Sequence, residues 1–282
     1  MNSGRFLLLP VLAMSSFAWA ATDSVFKAPQ ESYEYAATMK EAAKKFKGTP
    51  GVYLQIGDSI THANQNTQYA RGGQGLNEEE KAFLKWSHAG ERNDSDGWYL
   101  AAEDVDGGRR SYTATGGLRA DGSLAGGFNG LPSLADLLKK YNPQFCLYML
   151  GTNDLRSPTP VDQYIASVEK AMDLILANGT VPILSTLPPF KGRAPHVETY
   201  NKALRELAAK KKLPLLDLHA EMKARGGDEI ETLYLSDGVH LTHSVSTGPA
   251  NDENLKKCGY LLRCYLAVHK GMEVKAKVVD AK

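Results

Sequence analysis

The chain is 282 residues long, 43% hydrophobic and 23% charged, an ordinary globular composition with enough apolar material for one sizeable core. Its 33 basic residues nearly balance 32 acidic ones, for a net charge of +1, which argues against a nucleic-acid binder, because such proteins concentrate positive charge on one face. The basic runs Lys44-Lys45-Lys47 and Lys210-Lys211-Lys212 instead close amphipathic segments, where cations complement a helix C-terminus.

The first twenty residues stand apart. Arg5 precedes an apolar run at 6–14 and then Ala18-Trp19-Ala20, a small-x-small cleavage pattern. Residues 1–20 are therefore expected to be a secretory signal peptide, and 21–282 a single domain exported to the periplasm or the medium. Pro10 and Ser15-Ser16 leave the apolar stretch shorter than the ~20 residues of a spanning helix, so no stable membrane insertion is expected after cleavage.

After the leader, helix-period segments alternate with short apolar runs. A helix is expected over 31–46 and a strand over 52–56. A long, polar, Gly-rich insertion follows at about 62–110, with a short helix at 77–86 inside it. Further strands are expected at 111–115, which is the weakest, and at 145–150, 181–186 and 213–218. Helices at 131–141, 162–177 and 197–211 come between the later runs, and a last helix lies near 253–269. This alternation predicts an α/β domain with a mainly parallel five-stranded sheet. Three cysteines, Cys146, Cys258 and Cys264, cannot all pair within one chain. Cys146 reads as a buried hydrophobe, and a bridge between Cys258 and Cys264 would need a helix break near Gly259.

Chemistry-bearing residues fall at three places. Gly57-Asp58-Ser59-Ile60-Thr61 directly follows the first expected strand, and ligands bind at the C-terminal ends of strands in a parallel α/β sheet. Ser59 is thus a candidate nucleophile, although Asp-Ser after a strand also serves as a helix N-cap. Asp58, an acidic group at the start of the next turn, is expected to be structural. Far along the chain, Ser236-Asp237-Gly238-Val239-His240 sets a carboxylate three residues before an imidazole. At that spacing Asp237 can accept the His240 ring N–H, leaving the other ring nitrogen to take a serine proton. A surface turn, or a metal site completed by His243, would use the same residues. Third, Gly151-Thr152-Asn153-Asp154 follows the strand ending at Leu150, on the edge that carries Ser59. The Asn153 amide can there meet a developing oxyanion, a contact worth roughly 3 kcal/mol in acyl transfer. An Asx turn closing the strand is the structural alternative.

Together, Gly57-Asp58-Ser59, Gly151-Thr152-Asn153-Asp154 and Asp237-Gly238-Val239-His240 resemble, in order and spread, the first, third and fifth blocks of the SGNH/GDSL hydrolase family. The resemblance implies a flavodoxin-like three-layer α/β/α fold. It implies that Ser59 attacks an ester carbonyl, that His240, held by Asp237, is base and then acid, and that no metal or organic cofactor is needed. It further implies an oxyanion hole of the Ser59 N–H, a second-block glycine N–H and the Asn153 side chain. The second block reads Tyr112-Thr113-Ala114-Thr115-Gly116-Gly117-Leu118-Arg119, without the Asn that often precedes the glycine. Gly117 is assigned as the donor, with Gly116 as the alternative and a plain turn as the structural reading. The first block continues as Ile60-Thr61-His62 instead of a Leu-rich stretch, which leaves Ser59 in place.

The insertion leaves the edge that carries Ser59 and is expected to wall the pocket. Its Trp86, Trp98, Tyr99, Arg109 and Gln74 could stack on or hydrogen-bond a sugar, and Arg119 joins Trp98 as a candidate substrate contact. The expected substrate is a short acyl ester, acetate foremost, of a carbohydrate or other polar alcohol. A thioesterase or lysophospholipase would use the same residues. A metal-dependent phosphoesterase would use Asp58, Asp237, His240 and His243, and a non-catalytic carbohydrate-binding protein only the aromatic insertion. His88, His196 and His219 are expected at the surface. No oligomeric state follows from the sequence.

Overall fold

The computed structural model describes residues 25–102, 111–157 and 159–281, so the expected leader at 1–20 lies outside the described residues. Among them, four strands form one parallel sheet: β1 Tyr53–Gly57, β2 Phe145–Met149, β3 Val181–Ser185 and β4 Leu215–Leu216, adjacent in that order. Every strand residue is buried, the pattern of a parallel sheet flanked by helices. The register places Gly57 opposite Met149, so β1 and β2 end level and release their following loops at one edge.

The expectation of five strands is corrected to four. Residues 111–115 make a single parallel bridge, Ala114 to Gly57. The Gly57 N–H donates to the Thr113 carbonyl and the Thr115 N–H to the Gly57 carbonyl, both at 3.3 Å. Ser111 Oγ accepts from the Thr113 and Ala114 N–H groups, bending the chain locally, and Gly117 at φ +85° turns it away soon after. Placed beside β1, this segment completes the lateral order of a flavodoxin-like sheet, with the second run in the chain at the edge next to the first.

Local signals set the helices. In Leu134–Tyr141 the Ser133 hydroxyl caps by accepting the Asp136 N–H at 3.2 Å, and the buried stripe is Leu134, Leu137, Leu138 and Tyr141. Val161–Ala177 precedes β3; Ala194–Lys211, with a Pro in its first turn, precedes β4. The last expected helix is broken into Asp252–Lys257 and Gly259–Val274, with Cys258 extended between them. Gly259 sits there so close to the Tyr234 carbonyl and to Leu241 that a Cβ would lie 3.0 Å from each. The break makes no bridge: Cys146, Cys258 and Cys264 are all buried and free.

The insertion is fastened to that last helix. Asn77 and Glu80 form a reciprocal capping box at the start of Glu78–Trp86. The other Glu80 oxygen accepts from the Tyr69 hydroxyl (3.2 Å) and bonds His269 Nε2 (2.9 Å). Among the described residues no helix is long and apolar enough to cross a membrane.

Candidate active site

β1 ends against its own continuation: a Cβ on Gly57 would come 1.9 Å from Thr61 Oγ1, so the strand turns at once into the one-turn helix Ser59–His62. Asp58 is fully buried and caps this turn by accepting the Ile60 N–H at 3.0 Å. Burial pushes its carboxyl up to about 6, against the lowering effects of the Ile60 N–H and the Arg263 charge. Ser59 is thereby presented at the first helical position, partly exposed, at the C-terminal end of the strand.

The partner of Ser59 comes from 181 residues further on. Leu235 and Leu241 bridge antiparallel, the Ser236 N–H donates to the His240 carbonyl at 2.8 Å, and Gly238 at φ +92° rounds the tip. Inside this loop Asp237 Oδ1 accepts the backbone N–H groups of Val239 (3.0 Å) and His240 (2.8 Å). Its other oxygen lies 2.7 Å from His240 Nδ1, and His240 Nε2 lies 2.9 Å from Ser59 Oγ. Partial burial raises the Asp237 carboxyl, but its bonds to the His240 ring and to the two backbone N–H groups outweigh this and hold it at about 2. An ionised Asp237 selects the tautomer with the proton on Nδ1, so Nε2 accepts from the Ser59 hydroxyl.

The third element leaves β2. Gly151 adopts φ +142°, and a Cβ there would fall 2.6 Å from the Tyr164 hydroxyl, so only glycine fits this turn. The helix Thr152–Arg156 follows and brings Asn153 to Asp58 and to the second-block loop. Asn153 Nδ2 donates to the Leu118 carbonyl (3.0 Å) and stands 3.5 Å from Asp58 Oδ2. Asp154, buried, accepts the Ala120 N–H at 3.2 Å. These two side chains fasten the Gly116–Ala120 stretch to the loop after β2. A Cβ on Gly116 would lie 3.8 Å from Ser59 Cβ, whereas one on Gly117 would lie 3.2 Å from the Phe128 ring. Among the described residues neither glycine N–H donates to a protein group.

Ser59, His240, Asp237 and Asn153 are thus brought together beside Gly116 and Gly117. Arg119 follows the Gly116–Leu118 stretch with its side chain 37% exposed, donating to Thr159 Oγ1 at 2.7 Å and lying 3.5 Å from Asp121 and 3.8 Å from Asp154. Trp98 is a correction: it is fully buried, its ring edge-on to Tyr53 and its indole N–H bonded to Ser87 Oγ, so it offers no face to a substrate. Trp86 packs on Phe83 and Phe145, and Phe145 begins β2, at the end of the strand away from Ser59. Tyr99 lies under Arg71 and Arg92, and Gln74 donates its backbone N–H to Thr247. Arg109 lies outside the described residues. His219 is also corrected, being buried at the start of its helix. Among the described residues no three His, Cys, Asp or Glu side chains stand where they could hold a metal ion, and Asp58 turns its carboxylate to a backbone N–H instead of to His240 or His243.

Sequence reasoning missed Arg263. Its guanidinium is buried beneath the Ser59 turn, donating to Thr61 Oγ1 at 2.9 Å and to Asn66 Oδ1, while Asn66 Nδ2 bonds Gln55 of β1 at 2.8 Å. The available signal was one arginine inside Tyr260-Leu261-Leu262-Arg263-Cys264-Tyr265-Leu266, where every neighbour is a core residue type.

The sequence matches the profile of the GDSL-like lipase/acylhydrolase family over residues 56–244. No curated protein matches it. Among solved structures it is similar to a carbohydrate esterase family 3 protein from Talaromyces cellulolyticus, with 16% identity over 82% of this chain and 99% of that chain and a TM-score of 0.52. An acetyl esterase carrying a serine-to-alanine mutation, with acetate ion, is similar at 16% identity over 82% and 99%, TM-score 0.51. An α/β hydrolase enzyme from the metagenome of Lake Arreo, Spain, is similar at 13% identity over 80% and 97%, TM-score 0.50. At these identities the likeness is one of fold.

Proposed function

The chain belongs to the GDSL-like lipase/acylhydrolase family, and from that premise we propose that it is a serine esterase with Ser59 as nucleophile, removing short acyl groups, acetyl foremost, from a carbohydrate or other polar alcohol. The observation that carries this reading is the continuous relay Ser59 Oγ to His240 Nε2 at 2.9 Å and His240 Nδ1 to Asp237 at 2.7 Å. Ser59 Oγ attacks the ester carbonyl as its proton passes to His240 Nε2. The oxyanion is received by the Ser59 N–H, a second-block glycine N–H, Gly117 with Gly116 as the alternative, and the Asn153 N–H that otherwise makes the long 3.5 Å contact to Asp58 Oδ2. Collapse of this intermediate breaks the ester C–O bond, His240 returns its proton to the departing alcohol, and Ser59 is left acylated. A water molecule then attacks the acyl carbon with His240 again as base, releasing the acid and restoring Ser59. Asp237 steadies the imidazolium throughout.

The substrate reading draws support from the carbohydrate esterase and acetyl esterase among similar folds, and from Arg119 as a partly exposed polar group beside the second-block glycines. Export is part of the reading, resting on Arg5, the apolar run at 6–14 and Ala18-Trp19-Ala20. The test is hydrolysis of p-nitrophenyl acetate, butyrate and palmitate by the protein and by Ser59→Ala, with and without chelator. Activity on acetate that resists chelator and vanishes with Ser59→Ala supports the proposal. Activity surviving Ser59→Ala, or confined to palmitate, overturns the mechanism or the acyl preference respectively.

A further inference from the structure

Beside the nucleophile stands a loop of unusual composition, Gly126-Gly127-Phe128-Asn129-Gly130, in which every residue but Phe128 has a positive φ: +71°, +84°, +49° and +79° in turn. It is nonetheless a bonded structure. The Gly127 N–H donates to the Leu131 carbonyl (2.7 Å), the Gly130 N–H to the Gly127 carbonyl (3.2 Å) and the Leu131 N–H to the Phe128 carbonyl (3.0 Å). Asn129 Nδ2 pins it to the second-block loop, bonding Thr115 Oγ1 and the Gly116 carbonyl, both at 3.2 Å.

What this loop holds out is the Phe128 ring, 43% exposed, which with Leu174 makes up the exposed large hydrophobics among the described residues. Leu174 lies far along Val161–Ala177, whereas the Phe128 ring edge reaches the lane of Gly117, and the neighbouring Gly116 borders Ser59. A large apolar ring held out by a hydrogen-bonded loop against Gly117, next to the glycine that borders Ser59, stands where a bound substrate can cover it.

We propose that Phe128 is the platform on which the ring of a sugar ester stacks while its acyl group is attacked by Ser59, an inference that rests on the esterase reading above. The C–H face of a pyranose is apolar and carries slight positive charge, which suits the negative face of an aromatic ring, and stacking would remove apolar area of both from water.

The experiment compares acetate release from glucose pentaacetate and from ethyl acetate by the protein, Phe128→Ala and Phe128→Trp, with thermal melts confirming that each is folded. The expected result is a fall of about ten-fold in the preference (kcat/KM) for the sugar acetate over ethyl acetate in Phe128→Ala, carried by KM, with recovery in Phe128→Trp. An unchanged preference in Phe128→Ala overturns the platform while leaving the esterase intact. So does a protein that cleaves ethyl acetate through Ser59 but ignores the sugar ester. A folded protein inactive on every ester overturns the underlying reading, and the platform with it.

Discussion

Two carboxylates lie within a few residues of Ser59 and His240, and their environments push them in opposite directions. Asp237 is held at about 2 by its bonds to His240 and Val239, so it remains ionised across any ordinary assay range. Whatever stability it lends is present above the usual carboxylate value and is lost only as pH falls toward 2. Asp237→Asn should lower kcat by about a hundred-fold or more, because the amide no longer selects the Nδ1-protonated ring, and steady-state kinetics with Ser59→Ala as the floor would measure this. Asp58 behaves the other way. Burial raises it to about 6, so the folded state binds a proton that the unfolded chain has released, and stability falls as pH rises from about 4 to about 6. Asp58→Asn keeps an acceptor for the Ile60 N–H and should flatten this slope in melting temperature, a difference worth at most about 3 kcal/mol. An equal slope in both proteins would refute the burial account. At this scale the meeting of Ser59, His240 and Asp237 was legible because Asp237 and His240 interact through local spacing and Ser59 directly follows a strand. Trp98 was misread because an aromatic in a polar stretch looks exposed, while its burial depends on contact with Tyr53, far away in sequence.

The elements carry the site by ending where they do. β1 and β2 finish level, and a glycine at or after each end makes room for the turn that follows. Gly151→Ala would force a Cβ into the Tyr164 hydroxyl and Leu187 at a backbone angle hostile to side chains, and should cost about 2 kcal/mol or more, seen as a melting temperature lower by several degrees. A variant as stable as the parent would show that the turn relaxes freely. The expected run at 111–115 illustrates the limit of pattern reading. Its apolar content was too weak for a strand, and whether it pairs depends on Ser111 drawing its N–H groups out of the ladder, a side-chain choice that periodicity does not encode. The broken last helix was half legible, since Gly259 marked the place, but the reason lies in its packing on Leu241 and Tyr234.

Over the whole molecule, the alternation of runs and helices announced a parallel α/β fold, and the order of the three blocks along the chain announced a site at one edge of it. The fastening of the insertion was not announced, because Glu80, Tyr69 and His269 meet only after folding. The same enclosure applies to the thiols. All three cysteines are buried and unbridged, so a thiol reagent should label essentially none in the native protein and all three in guanidinium. Rapid labelling of the native state would contradict that packing.

In the proposed mechanism one serine, activated by His240, does the chemistry. Diethyl p-nitrophenyl phosphate, which phosphorylates an activated serine, offers the most direct measurement, read by intact mass and peptide mapping. The expected result is one diethylphosphoryl group per chain, located on Ser59, with esterase activity lost in step and no labelling of Ser59→Ala. Activity that survives in an unlabelled protein, or a label on any other residue, would contradict it.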